Sequence, residues 1–254
     1  MTAIKAFLKT ILYKPLYNLL IFLVWLIPGH SVGWAIIILT IIIRLILLPS
    51  TAQSIKAQKK IKDLQPEMDK IKEKYKGDQQ AQTKALLTLY QQNKINPFSS
   101  CLPLLIQLPV LIILYYVFQS GLDTSRFADL LYSFTPRPET VNPQFFWINL
   151  ARPDVYLAVL AGILQFWQTK QLTPTVDKSK NKGKDTQSAF QEALGKQMLY
   201  IMPFFTVIIA LKLPAALPLY WSVTTIFMVI QQAYLLKQPV DKKGVSVIIR
   251  KPGL

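Results

Sequence analysis

The chain has 254 residues, 52% of them hydrophobic, and carries 29 Lys+Arg against 13 Asp+Glu. The apolar residues come in blocks and the charges fall between the blocks; this excludes a soluble domain built from amphipathic elements and indicates a multi-spanning membrane protein with basic loops. The lone cysteine, Cys101, excludes an intrachain disulfide, and the lone histidine, His30 beside Gly29, reads as an ordinary residue at a segment boundary.

The first apolar block, 16–28, is short, is interrupted by Asn18 and closes on Pro28-Gly29. With Lys9 and Lys14 before it and aromatics at 13, 17, 22 and 25, residues 1–30 read as an amphipathic helix on the outer interface. A sixth span is the alternative. No small-x-small site follows the block, which speaks against a cleaved signal peptide. The second block, 33–49, gives the first core span, residues 31–50. In the polar insert 51–98, apolar residues recur at 55, 61, 64, 68, 71 and 75, and Gly77-Asp78 separates this arm from a second helix at about 79–93. The insert is thus a helical hairpin, with Pro66 expected to kink or split its first arm. Blocks 101–118, 155–168, 198–213 and 214–236 supply the remaining four core spans within 99–236. The stretch 177–187, "DKSKNKGKDTQ", is too polar to order by itself.

Orientation follows from the basic residues. Residues 50–98 hold ten Lys+Arg, 169–197 hold six and the tail 237–254 holds five, whereas 119–154 hold three beside four acids. The hairpin, the loop 169–197 and the tail therefore face the cytoplasm, and 119–154 faces out. The fold class expected is all-α: a polytopic membrane protein with a five-helix core bundle, a cytoplasmic helical hairpin and an N-terminal interfacial helix.

No catalytic constellation appears. Every Asp and Glu lies outside the apolar blocks, and no phosphate-binding loop, metal spacing or nucleophile set is present. The chain is therefore not expected to be an enzyme, nor to need a cofactor or metal. The chemistry lies in Arg44, a permanent charge inside "AIIILTIIIRLILLPS". Its side chain either snorkels to the inner interface or faces a polar cavity. Thr40 is one turn away on the same face, and Gln107, Gln165 and Gln168 lie in the inner half of their spans. The outer half offers aromatics and hydroxyls, including Trp221 and Ser222. This distribution describes a wet vestibule open to the cytoplasm and closed outside.

The stretches "GWAIIILTIIIRLILLPS" (33–50), "LQPEMDKIKEKY" (64–75), "NPFSSCLPLLIQLPVLIILYYVF" (96–118), "ILQFWQTKQLTP" (163–174) and "MLYIMPFFTVIIALKLPAALPLYWSVTTIFMVIQQ" (198–232) resemble, in this order, the YidC/Oxa/Alb membrane protein insertases. The likeness covers nearly the whole chain and looks like the short form without the large outer domain; "SSC" is a mild departure from the small residues many relatives have there. The resemblance implies a bacterial plasma-membrane protein with a cytoplasmic C-terminus that inserts nascent membrane proteins without ATP. It implies that Arg44 lies in a hydrophilic groove, with Gln165 and Trp221 as wall residues and Gln107 and Gln168 beside them. The partners it implies are nascent membrane proteins, the ribosome through the basic loops and tail, the Sec translocon and the signal-recognition receptor. The basic ends also suit anionic lipids. The rival readings are a non-inserting assembly scaffold and a small channel or transporter; the latter needs polar residues through the full depth and inverted repeats, and neither is seen.

Overall fold

The computed structural model describes residues 9–93, 95–96, 102–121, 130–172 and 199–237. Cys101, the stretch 177–187 and the tail beyond residue 237 lie outside the described residues. A π-helical turn, Lys9–Tyr13, leads into α1 (Lys14–Leu26), and a 3-10 turn, Pro28–His30, leads into α2 (Val32–Asp63). Then come α3 (Gln65–Lys74), α4 (Gln79–Gln92) and α5 (Leu102–Gly121), a two-stranded hairpin of β1 (Gln144–Phe145) and β2 (Ile148–Asn149), and α6 (Val155–Leu172), α7 (Leu199–Ala210) and α8 (Ala216–Lys237). The protein is an all-α polytopic membrane protein.

The helix α8 packs chiefly on α2 and α6. A single apolar core, including Ile36, Leu39, Leu114, Val117, Leu217 and Tyr220, fills the bundle away from the α3–α4 hairpin. Outward-facing Ile41, Leu45, Ile46, Ile112, Ile163, Phe204 and Ile230 are exposed. Such a continuous apolar surface belongs in lipid rather than in water.

Continuing past the end of the apolar block, α2 runs without a break through Pro49 to Asp63. At about 1.5 Å per residue its 32 residues reach ~48 Å, well beyond a hydrocarbon core of roughly 30 Å, so its last turns project from the membrane. Proline removes one helical donor, and around Pro49 a neighbouring helix supplies polar contacts. The Thr51 hydroxyl and the Gln231 side chain of α8 bond reciprocally at 3.0–3.2 Å, and Gln231 reaches the Leu48 carbonyl at 3.4 Å. The break comes at Leu64, where Pro66 stands at the start of α3. Gly77, at φ +90°, turns the chain, and the Asp78 carboxylate caps α4 by accepting from the Ala81 N–H at 3.0 Å. The hairpin closes on its own small core of Leu64, Leu89 and Ile95, ringed by Ile61, Met68, Ile71 and Tyr90. Burial in this seam pushes the Tyr90 hydroxyl pKa up. At the hairpin's base, Lys59 donates to the Leu236 carbonyl and Lys62 to the Gln171 carbonyl. These ammonium groups sit at the last described turns of α8 and α6, the negative ends of their dipoles.

The opposite, far end carries α1. Length and apolarity alone would let Lys9–Leu26 cross a membrane. Its contacts instead place both of its ends at one level of the bundle. The Tyr13 hydroxyl donates to Ser120 at 2.8 Å, near the end of α5, while the C-terminus of α1 turns directly into the start of α2. The turn is made by Gly29 (φ +75°) and His30 (φ +49°). Between these ends Tyr17, Leu20, Ile21 and Val24 are buried, and Phe22, Trp25 and Leu26 are exposed. Asn18 uses its whole hydrogen-bonding capacity. It donates to the Lys14 and Leu130 carbonyls and accepts from the Tyr132 N–H and the Thr135 hydroxyl.

Candidate functional site

Three helices meet at Arg44. From α2, its Nη2 donates to Gln107 Oε1 of α5 at 2.6 Å and its Nε to Thr224 Oγ1 of α8 at 3.4 Å. Gln107 in turn donates from Nε2 to the Tyr220 hydroxyl at 3.0 Å. The amide of Gln107 is therefore oriented from both sides, its oxygen on the cation and its nitrogen on the phenol. Tyr220 and Thr224 are four residues apart, one turn of α8, which puts both on the face toward Arg44. Arg44 is only 5% exposed. The ion pair Lys72–Asp69 lies on the hairpin, away from Arg44. Among the described residues, the groups that hold Arg44 are neutral dipoles. A cation so placed favours any anion that can reach it. Even on the most lenient scale, an arginine at mid-membrane costs about 2.5–3.5 kcal/mol.

The other residues singled out from the sequence are placed as follows. Thr40 is fully buried one turn from Arg44, and its hydroxyl donates back to the Ile36 carbonyl at 2.6 Å. Gln165 accepts from the Thr206 hydroxyl and so joins α6 to α7. Gln168 reaches the Met228 sulfur at 3.3 Å and joins α6 to α8. Ser222 is buried, with its hydroxyl oxygen unpartnered among the described residues. Trp221 is half-buried on α8, and its carbonyl accepts from Thr225 at 2.8 Å. The structure thus joins Arg44 to Gln107, while Gln165 and Gln168 form bonds in the seams around α6.

Comparison with known proteins settles the kinship. The profile of the family described as 60Kd inner membrane protein matches residues 25–243. A Fusobacterium nucleatum protein named membrane protein insertase YidC is 36% identical over 208 residues, which is 81% of this chain and 86% of that protein. The chain belongs to the YidC/Oxa/Alb family of membrane protein insertases. A Clostridium tetani member named YidC is 39% identical over 195 residues, 76% of each chain. A Bacillus subtilis member named membrane protein insertase MisCA is 34% identical over 242 residues, 93% of this chain and 81% of that one. Membership fits a bacterial membrane protein whose spans are apolar helices.

Two members of the Arg44 cluster were absent from the sequence-derived site, Tyr220 and Thr224. Their one-turn spacing was visible in "YWSVT". What the spacing alone does not show is that this face of α8 meets the arginine.

Proposed function

We propose that the chain is a membrane protein insertase that works without ATP and is not an enzyme. It receives nascent membrane proteins at a hydrophilic groove around Arg44, open toward the cytoplasm, and releases them sideways into lipid. The observation that carries this reading is a buried guanidinium whose partners among the described residues are neutral, set where α2, α5 and α8 meet. Its attraction is directed at acidic groups in the flank of an incoming segment. Burial of that segment's apolar surface drives insertion at about 25 cal/mol per Å², so the groove has only to lower the barrier for the polar flank. Thr40, Gln107, Gln165, Gln168, Trp221 and Ser222 are proposed as its polar surroundings.

In this reading the α3–α4 hairpin and the C-terminus lie in the cytoplasm, because the basic connections belong on that side. The helix α1, lying across the far end with an apolar exposed face, rests on the outer interface. The hairpin, loop and tail, rich in Lys and Arg, are proposed to meet ribosomal RNA and anionic lipid headgroups. The Sec translocon and the signal-recognition receptor are further proposed partners.

The experiment is insertion of a single-span substrate with an acidic flank into liposomes containing only the purified protein. The expected outcome is insertion by the wild type, most of it kept by Arg44→Lys and lost by Arg44→Ala. Insertion at the wild-type rate by Arg44→Ala would return the arginine to a snorkelling role. A requirement for an added translocon would make the protein a scaffold.

A further inference from the structure

At the far end the β1–β2 hairpin holds a ridge of aromatic side chains out of the fold. Phe146 and Trp147 form its tip and are 71% and 77% exposed. Phe134, stacked on Tyr132 with ring centroids 5.3 Å apart, is 81% exposed. Phe146 has φ +54°, a conformation that a tight two-residue hairpin turn normally gives to glycine. The backbone turns this ring outward, where its neighbours are the rings of Trp34, Phe145 and Trp147.

The ridge is mounted rigidly. Asn142 accepts from the Val32 N–H and donates to the His30 carbonyl, both at 3.0 Å, which ties the hairpin to the first turn of α2. Residues 150 and 152 accept from the N–H groups of Ala216 and Ala215 at 3.1 and 2.9 Å, which ties it to the start of α8. Gly33 lets it seat, since a Cβ there would overlap the Phe145 ring. The ridge also continues the membrane-facing surface. Exposed Trp34 on α2 meets Phe145 and Phe146 edge-on at 5.5 and 6.3 Å, and Tyr156, in the first turn of α6, is exposed as well. Arg152 and Lys212 are exposed at the same end.

From this geometry we infer that the β1–β2 tip is a lipid anchor, with Phe146 and Trp147 seated in the headgroup–acyl boundary of the leaflet at the far end. Trp147, with its indole N–H, favours that layer, Phe146 adds apolar contact beside it, and the two cations suit its phosphates. Because the anchor is fixed to the starts of α2 and α8, it sets their depth. It thereby sets the depth of Arg44, twelve residues or about 18 Å further along α2.

The test uses the full chain with Cys101→Ser, reconstituted in phosphatidylethanolamine–phosphatidylglycerol vesicles, with a nitroxide on Trp147→Cys or on Glu139→Cys. Glu139 is exposed in the same loop. Power saturation compares collisions with oxygen, which concentrates in lipid, and with a nickel chelate, which stays in water. The expected result is an accessibility ratio shifted toward oxygen at 147 and toward the chelate at 139. A ratio at 147 matching that at 139 would put the tip in water and overturn the proposal. Exclusion of both reagents at 147 would mean a protein cover, such as a second copy, and would overturn it too. Phe134→Cys, outside the β hairpin, repeats the measurement with the same two readings if the tip does not tolerate the label.

Discussion

Gln107 stands between Arg44 and Tyr220, and the two ends of its amide do different work. Replacing it with glutamate puts a carboxylate where the amide oxygen now lies, 2.6 Å from the guanidinium. The pair is neutral as a whole, so the fold should be as stable as the wild type or more so in detergent. Insertion of acidic-flanked substrates should fall about tenfold, a barrier change of about 1.4 kcal/mol. Gln107→Leu should do the reverse. It leaves the cation exposed to substrate but costs about 1.5–3 kcal/mol of stability by removing a hydrogen bond to a charged group. Thermal unfolding beside the liposome assay separates the two, and wild-type insertion by Gln107→Glu would sink the idea that an unneutralised charge is what the substrate meets. Asn18 carries the second residue-scale prediction. In the sequence it reads as a flaw in an apolar block; in the fold it ties α1 to residues 130–135. These three partners lie more than a hundred residues away, so no local pattern announces them. Asn18→Leu should lower stability by about 1–3 kcal/mol for each backbone group it orphans, read as a drop in the melting temperature in detergent.

At the scale of elements, block boundaries were legible because lipid-facing and core-facing residues are both apolar, so each span is one continuous run. The same fact hid the end of α2. The apolar run stops near Pro49, but the helix has Thr51 and Gln231 to support it there and continues to Asp63. Pro66 did split the first arm of the hairpin, since no comparable support exists in the exposed segment. The β1–β2 pair was missed in "NPQFFWIN": two-residue strands are too short to show alternation, and their pairing depends on the docked loop around them. Lys59 and Lys62, two of the many basic residues of the insert, fasten the hairpin's base to the last described turns of α8 and α6. Replacing both with methionine should speed amide exchange in residues 56–63 while leaving α8 protected, because only the base of the projection is released. Unchanged exchange there would mean that helix continuity alone holds the hairpin. Between α6 and α7, a Cβ at Gly162 would overlap Val207 and press on the Pro203 carbonyl. Gly162→Ala should therefore cost about 1–3 kcal/mol and loosen the Gln165–Thr206 bond one turn away, lowering the melting temperature.

Over the whole molecule, charge is distributed by end rather than by face. The formal net charge is +16. The hairpin end carries the Lys-rich α2 extension, α3 and α4, whereas the far end offers aromatics, the β hairpin and few cations. The α5 helix joins the two ends, so residues before and after it should lie on opposite sides of the membrane. In a Cys101→Ser background, Gln80→Cys on α4 and Glu139→Cys in the far loop are both exposed sites for a membrane-impermeant maleimide. The expected pattern is labelling of Glu139→Cys from outside only and of Gln80→Cys from the cytoplasmic side only. Labelling of both from one side would mean that α5 does not cross, and the polytopic arrangement would fail with it. A third position asks whether the bundle conducts. Ser222 and Thr40 are 2% and 0% exposed, and both precede the Arg44–Thr224 level on helices that start at the far end, so a cysteine at Ser222 should stay unlabelled from outside. A continuous aqueous path would label it from both sides, because a pore wide enough for ions must wet this face of α8. Protection at Ser222 together with sided labelling at 80 and 139 is what a bundle closed at the far end requires, and a channel cannot show all three.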